Sequence, residues 1–577
     1  MPLMGSLYIG ASGLQTSQNA LNTTAHNLSN VDTKGYTRQQ VQQSDKAYVT
    51  ISNDPKSIAN KQYGLGVTYS RVKQVRDYFL DKTFRRESGR SMFYEVSTGV
   101  LEEVESQLGE LNGEAFQTTL SDLWTSVQEL SKDPCSSVTQ GLLVQRASEF
   151  IERAGAVYDG FCDYQDNLNV QVKQQVDKIN AYGKQLLTLN DHIRAIESGG
   201  IEKANDLRDA RNQILDELAE LTDITYSEDM YGNVEVKIEG VDFVKGGVCY
   251  EIEMQVDEST GFYTPFWPQN ATYHVLDNGV KKYNIDGAEV FDLTREISVD
   301  LNTDIGGLKA MLLARGDHRA DYRDVQKDNY DGVSQSVIMN VQAEFDQLIH
   351  NITTKINGIL ADAAGVQTGD ITLADGSTMA NVRYCRIDTN GYNYMRNDDG
   401  TPIQLFGKIT TDEYTKVTDI SGVEYWVYAE EDMTQADSLY SVKNLQIDEI
   451  LKQNPSKLSF RKEDGTEDNA TAEALKAAFT EEIYSLNPNV LKKTSFVDYY
   501  SDLVSQVANS GYVYRSISEN QLNAVESAQN ARAQVLEVSS DEELSNMIKF
   551  QNSFNAASRY INVISEMLEH VINTLGI

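Results

Sequence analysis

The chain is 577 residues long with 40% hydrophobic residues, enough apolar surface to bury several cores in about four domains on the usual length prior. Its formal net charge of −36, from 50 basic and 86 acidic residues, opposes nucleic-acid binding and makes self-association depend on specific contacts that overcome repulsion. The charge is uneven: residues 1–90 carry twelve Lys or Arg against six Asp or Glu and sum to +6, the remainder sums to −42, and such ends attract between subunits.

Met1 to Leu28 is studded with Gly, Ser, Gln and Asn, unlike the apolar core of a cleavable signal peptide, and no stretch reads as a membrane span. Within it Met4, Leu7, Ala11, Leu14, Gln18, Leu21, Ala25 and Leu28 alternate at intervals of three and four, the signature of a coiled-coil seam interrupted only by Gln18. Amphipathic helices follow at Phe116-Leu120-Leu123-Val127-Leu130, at Val172 through Ile196, and at Val333-Val337-Val341-Phe345-Leu348-Ile352-Ile356-Ile359. Between them Val234, Val236 and Ile238, then Tyr250, Ile252, Met254 and Val256, alternate every second residue, and 366–460 is rich in Thr, Tyr, Gly and Asp. Both regions read as β-rich inserts. Helical sequence resumes by Thr471–Phe479 and runs, with breaks near Pro488 and Gly511, through Ala524, Ala528, Ala531 and Val535. At the end, Met547, Phe550, Phe554, Ala557, Ile561, Ile564, Leu568, Val571 and Leu575 repeat the three-four alternation over four heptads, a stripe that needs a partner. Ser540 and Glu543 read as the capping box of this helix, about 541–575, and Gly576 as its stop.

The segment after the first helix, Ala25-His26-Asn27-Leu28-Ser29-Asn30-Val31-Asp32-Thr33-Lys34-Gly35-Tyr36-Thr37-Arg38, resembles the signature shared by flagellar rod, hook and hook-associated proteins. Physically, Asn27 and Asn30 bond local backbone as the helix ends, and Gly35 takes the left-handed geometry that a reversal needs. The run Glu543 to Gln551, Phe554 to Ile561 and Met567-Leu568 is similar to the hook-associated members of that family, as are Asn205 through Leu215 and Gly306-Gly307-Leu308-Lys309. The resemblance covers about two-thirds of the chain, and 366–460 carries no motif of it.

The resemblance implies a structural subunit, not an enzyme, at the junction of hook and filament. It implies export through the flagellar type III channel without a cleaved signal peptide, and an extracellular place in the flagellum. The subunit assembles with itself in a helical or ring array, with hook protein and with the second junction protein, and a small cytoplasmic export chaperone masks its C-terminal helix. Neither nucleic acid nor membrane is an expected partner, and no cofactor or metal is expected. The residues expected to carry assembly are Leu7, Leu14, Leu21, Leu28, Asn27, Asn30, Gly35, Tyr36, Met547, Phe550, Phe554, Ile561, Ile564, Leu568, Val571 and Leu575. An ordinary intramolecular bundle core would show the same stripes.

Rival classes find less support in the residues. Cys135, Cys162, Cys249 and Cys385 lie 27, 87 and 136 residues apart with no C-x-x-C pair, and His26, His192, His274, His318, His350 and His570 are scattered without an H-E-x-x-H pair. Paired acids, nucleophile elbows and phosphate loops are missing from the central sequence. Tyr263, Phe266, Trp267, Tyr392, Tyr394, Tyr425 and Trp426 form either an adhesive face or, as buried aromatics usually do, β-core packing. The expected architecture is α+β and multidomain, with long-helix bundle and coiled-coil terminal domains and β-rich inserted outer domains. Its parts are a terminal assembly domain (1–55 plus 530–577), a helical body (56–221, 301–365 and 471–529), a β-rich insert (222–300) and a β-rich outer insert (366–470).

Overall fold

The computed structural model describes residues 3–52, 61–109, 115–200, 202–275, 281–387, 395–462 and 464–575. Helix α1 (Leu3–Ser29) opens the chain and leads into an antiparallel ribbon, in which β1 (Gln39–Asp45) pairs with β4 (Val67–Gln74) and β2 (Val49–Ser52) with β3 (Lys61–Tyr63). Four helices come next: α2 (Tyr78–Gln107), α3 (Phe116–Lys132), α4 (Ser137–Glu197) and α5 (Asn205–Leu221). The Asp77 carboxylate caps α2 by accepting the amides of Phe79 and Leu80 at 2.8 and 3.2 Å.

The chain then enters a four-stranded antiparallel sheet of β5 (Ile224–Glu228), β6 (Val234–Ile238), β7 (Val241–Lys245) and β8 (Val248–Cys249) in that order. Two hairpins follow, β9 (Glu253–Val256) with β10 (Tyr263–Phe266) and β11 (Thr272–Val275) with β12 (Lys281–Asn284). Helices α6 (Gly307–Arg315), α7 (Tyr330–Val333) and α8 (Val337–Ala363) return to the body. A second sheet, ordered β13–β14–β17–β16, comprises β13 (Gln367–Thr372), β14 (Thr378–Arg386), β16 (Tyr414–Thr418) and β17 (Glu424–Tyr428), while β15 (Phe406–Lys408) pairs with β18 (Leu445–Ile447). The chain closes through α9 (Glu449–Gln453), α10 (Asn469–Thr480), α11 (Phe496–Leu536) and α12 (Ser540–Leu575). Long helices at both ends with small sheets between them are the α+β multidomain architecture expected.

Helix α4 is the spine. At 61 residues it is ~90 Å long, and its apolar face changes partners along its length. Leu143, Phe150 and Phe161 join a core with α3, α8 and α11 that also takes in Phe406, Tyr440 and Phe460 from the stretch beyond α8. Val172, Val176 and Leu186 join a second core with Leu215 and Leu218 of α5 and with Val236, Phe243 and Trp267.

Four local expectations are corrected. Tyr250 and Ile252 are not in a strand, because the Asn180 side chain on α4 takes both backbone groups of Ile252, at 2.9 Å each, in place of a strand partner. The stripe from Val333 is two helices, since the Ser336 hydroxyl accepts the Met339 amide at 3.4 Å and starts α8 afresh. Helix α11 runs unbroken through Gly511, where packing along α2 and α8 outweighs the ~1 kcal/mol that an interior glycine costs. The cap of α12 is Ser539 rather than Ser540: its hydroxyl accepts the Glu542 amide at 3.4 Å, and the Glu543 carboxylate is drawn away to Arg38.

Candidate assembly surface at the joined termini

Helices α1 and α12 pack antiparallel. A Cβ added at Gly10 would lie 2.7 Å from Ile561 Cγ1, and one at Gly13 would lie 3.7 Å from the Ala557 methyl. The point of close approach is Gly10 and Gly13, where the missing side chains let the backbones come together, and the buried Ser17, Ala20, Thr24 and Asn27 continue a three-four alternation along α1. Leu7, Leu14, Leu21 and Leu28 sit roughly a quarter turn to one side and are only half-buried. On α12 the expected stripe does point inward: Ile564 is buried, and Met547, Phe550, Phe554, Ile561 and Leu568 are half-buried, but Val571 is exposed. The Leu575 side chain lies outside the described residues. A further set of apolar side chains on the pair faces outward: Met4, Tyr8, Ile548, Val563, Met567 and Ile572, with Tyr8 67% exposed.

The turn after α1 is built on Asn27, which is buried. Its amide nitrogen donates to the Gln39 carbonyl at 2.8 Å, and its oxygen accepts the Tyr36 hydroxyl at 2.7 Å and the Gln39 amide at 3.0 Å. Asn30 closes the helix end, donating to the His26 carbonyl at 2.9 Å and accepting the Thr33 hydroxyl at 3.2 Å. Gly35 sits at φ +82°, a conformation that disfavours a Cβ. The reversal lays the ribbon against α1, where the Ser12 hydroxyl accepts the Val67 amide at 3.2 Å.

Residues that the stripes did not signal clamp this terminal unit to the body. Arg38 donates to Glu543 at 2.9 Å and pairs with Glu542 at 2.7 Å, and its amide donates to the Leu536 carbonyl at 2.9 Å. Asp209 of α5 accepts the Thr37 hydroxyl at 2.6 Å, the Thr37 amide at 3.2 Å and the Gln74 amide nitrogen at 2.8 Å. Burial pushes the Asp209 carboxyl up to about 6 against these hydrogen bonds. Behind it, Arg532 of α11 bridges Asp81 at 2.8 Å and Asp216 at 2.7 Å, while Arg76 holds Asp81 and Arg85 holds Asp216, at 2.9 and 2.7 Å. Arg38 and Asp209 stand inside the two motifs that resemble the axial family, but their partners lie more than 100 residues away in the sequence, so only folding reveals the pairing.

The aromatic positions of the two inserts differ in burial. Phe266 and Trp267 are buried, Tyr263, Tyr425 and Trp426 are half-buried, and Tyr392 and Tyr394 lie outside the described residues. His350 stacks on Tyr322 at 3.7 Å. Among the described residues no group of three His, Cys, Asp or Glu is placed to hold a metal ion, and no helix is long and apolar enough to cross a membrane.

Three stretches match known families: residues 7–37 the flagella basal body rod protein family, residues 101–372 the helical domain of flagellar hook-associated protein FlgK, and residues 537–575 the flagellar basal body rod FlgEFG protein C-terminal family. The flagellar hook-associated protein 1 of Bacillus subtilis is 24% identical over 98% of this chain and 97% of its own length. That of Escherichia coli is 22% identical over 99% and 100%, and that of Salmonella typhimurium 24% over 97% and 98%. The solved structure of the flagellar hook junction protein FlgK from Burkholderia pseudomallei superposes with a TM-score of 0.50 at 11% identity, covering 79% of this chain and all of that one. The fold is shared at a level where sequence alone shows little.

Proposed function

This chain belongs to the flagellar hook-associated protein 1 family, and on that premise we propose that it is a structural subunit of the bacterial flagellum at the junction of hook and filament, assembling through its joined ends. The observation that carries the assembly role is the terminal unit itself: α1 and α12 bury a seam of small residues against each other and leave a second apolar set facing outward. Such a set needs a neighbour. A tube is built from heterologous contacts, in which one patch meets a different patch on the next copy, and a two-sided helix pair supplies both.

In this reading Leu7, Leu14, Leu21 and Leu28 on the flank of α1, with Val571 and the outer face of α12, meet other axial subunits. Asn27, Asn30, Gly35 and Tyr36 set the turn that orients them. The neighbours are further copies, hook protein on one side and the second junction protein on the other. The chain travels through the flagellar export channel unfolded, and a small chaperone covers α12 until then, because its apolar side chains invite aggregation. The role is structural, without catalysis.

Electron microscopy of flagella from a strain lacking this chain tests the reading, with full-length protein or protein truncated before Ser540 supplied in its place. Bare hooks with flagellin shed into the medium, cured by the full chain and not by the truncated one, are expected. Normal filaments without the chain would end the junction role. Chaperone masking predicts that binding of the export chaperone disappears when 540–577 is deleted.

A further inference from the structure

Helix α5 separates two clefts of opposite charge. On one side, a cleft of about 410 Å³ lies between β4, α5 and the first sheet, and six cations line it, Arg71, Lys73, Arg76, Lys203, Arg208 and Arg211, against two acids, Asp81 and Glu228. The inner cations are held in place: Arg208 bonds Glu197 at 2.7 and 2.9 Å and Glu228 at 2.9 Å, and Arg211 reaches Glu228 at 3.2 Å and the Gly232 carbonyl at 2.7 Å. Arg211 is 98% buried, and its Nε has no hydrogen-bond partner among the described residues. At the rim, among the described residues, Arg71 bonds only the neutral Gln42 side-chain amide, at 2.9 Å, and the exposed Lys73 has no partner. Carboxylates of the fold already pair Arg76, Lys203, Arg208 and Arg211, so the positive charge left without a carboxylate among the described residues is that of Arg71 and Lys73 at the rim.

On the other side of α5, Asp209, Asp216, Glu217 and Glu220 face a groove of about 670 Å³ that is closed by α11, whose Glu526 borders it, with Glu537 just past the helix end. Of the groove's cations, Arg76 and Arg532 are spent on Asp81, Asp209 and Asp216, and the exposed Lys34 stands near Glu217, whereas Glu526 and Glu537 are exposed at the far border. Positions 208, 211 and 215 of α5 point to the first cleft and 209, 213, 216 and 220 to the second, as helical periodicity requires of opposite faces.

We propose that these two faces are the halves of a head-to-tail contact between copies of this chain, in which exposed Arg71 and Lys73 of one copy pair with exposed Glu526 and Glu537 of the next. The occupant of the basic cleft is thus a second copy. Its surface is acidic on average, since the chain carries −36 overall, and two different patches of opposite sign are what open helical assembly needs. The contact lies just outside the terminal helices, so it sets lateral register beyond what apolar packing specifies. The inference rests on the assembly role proposed above.

Charge exchange tests it in a strain lacking the native chain, with filament-bearing cells counted by electron microscopy. The double variants Arg71→Glu/Lys73→Glu and Glu526→Lys/Glu537→Lys are each expected to lower the count about tenfold, and the chain carrying all four changes to recover to within about threefold of wild type. Recovery also excludes misfolding as the cause of the losses, because the fourfold variant contains every substitution of both. Double variants that behave as wild type, or a fourfold variant no better than the worse double, overturn the contact while leaving the junction role standing. If wild-type chain itself restores no filaments, the junction role falls and this contact with it.

Discussion

Single residues decide how the terminal unit is held. The Arg38 side chain ties the turn after α1 to the start of α12, and the Glu543 carboxylate it pairs with is 3% exposed. Arg38→Ala strands that carboxylate and is expected to cost about 3 kcal/mol in the docking of α12. Urea unfolding followed by a fluorophore on α12 checks this; an unchanged midpoint would remove the clamp from the account. Glu197 plays the corresponding part at the basic cleft. Although burial opposes it, hydrogen bonds from Arg208, Lys203 and the Ala204 amide lower its carboxyl from 4.5 to about 2. A depressed carboxylate contributes stability that is full above the unfolded value of 4.5 and is lost as pH falls through about 2. Glu197→Gln is therefore expected to be less stable than wild type by about 2 kcal/mol at pH 7, with the gap closing between pH 4.5 and 2. A gap that stays constant across that range in thermal melts would show that Glu197 is not ionised by its partners.

At the scale of elements, the two terminal helices behave differently from the body helices. Helix α4 buries its apolar face in two cores along its length, whereas among the described residues α12 packs along α1 and contributes nothing to either core. In the free subunit, amides such as those of Leu14 and Ile561 are expected to exchange far faster than that of Phe161, through local opening. Strong protection of Leu14 and Ile561 in monomer would show that the pair is a stable unit before assembly. The pair also depends on glycine at the point of closest approach. Gly10→Leu places a branched side chain where even a Cβ would stand 2.7 Å from Ile561, a mismatch worth about 1–3 kcal/mol, and is expected to part the helices. Loss of a cysteine crosslink engineered between α1 and α12 is the readout.

At the scale of the whole molecule, the two large cores contain, among the described residues, none from α1, the ribbon or α12. The body is expected to fold without the terminal pair, and deletion of 540–577 to leave its main melting transition within a few degrees of wild type. A collapse of that transition would mean that the ends are part of the body's own stability. The second core also explains why the far half of α4 carries a separate apolar stripe from Val172: it changes layer there, from helices to the first sheet.

Much of this layout was legible in the residues. The signature from Ala25 to Arg38, the run from Glu543 and the run around Asp209 each resemble the axial family, and the helices and turn they sit on were legible because turn chemistry and helical periodicity are written in consecutive residues. The inward face of α12 is the stripe that the spacing marks. What the residues did not disclose is long-range. The close approach of α1 to α12 lies on Gly10 and Gly13 instead of the leucines, because close approach of two backbones rewards small side chains, a preference that appears only once the partner is in place. The loss of Ile252 from a strand and the pairing of Arg38 with Glu543, which takes that carboxylate out of a capping box, were likewise settled by neighbours from distant sequence. Local spacing determined several of the long helices, and the motif residues carried the resemblance to the flagellar axial family; tertiary packing alone decided which faces meet and how charge is divided across α5.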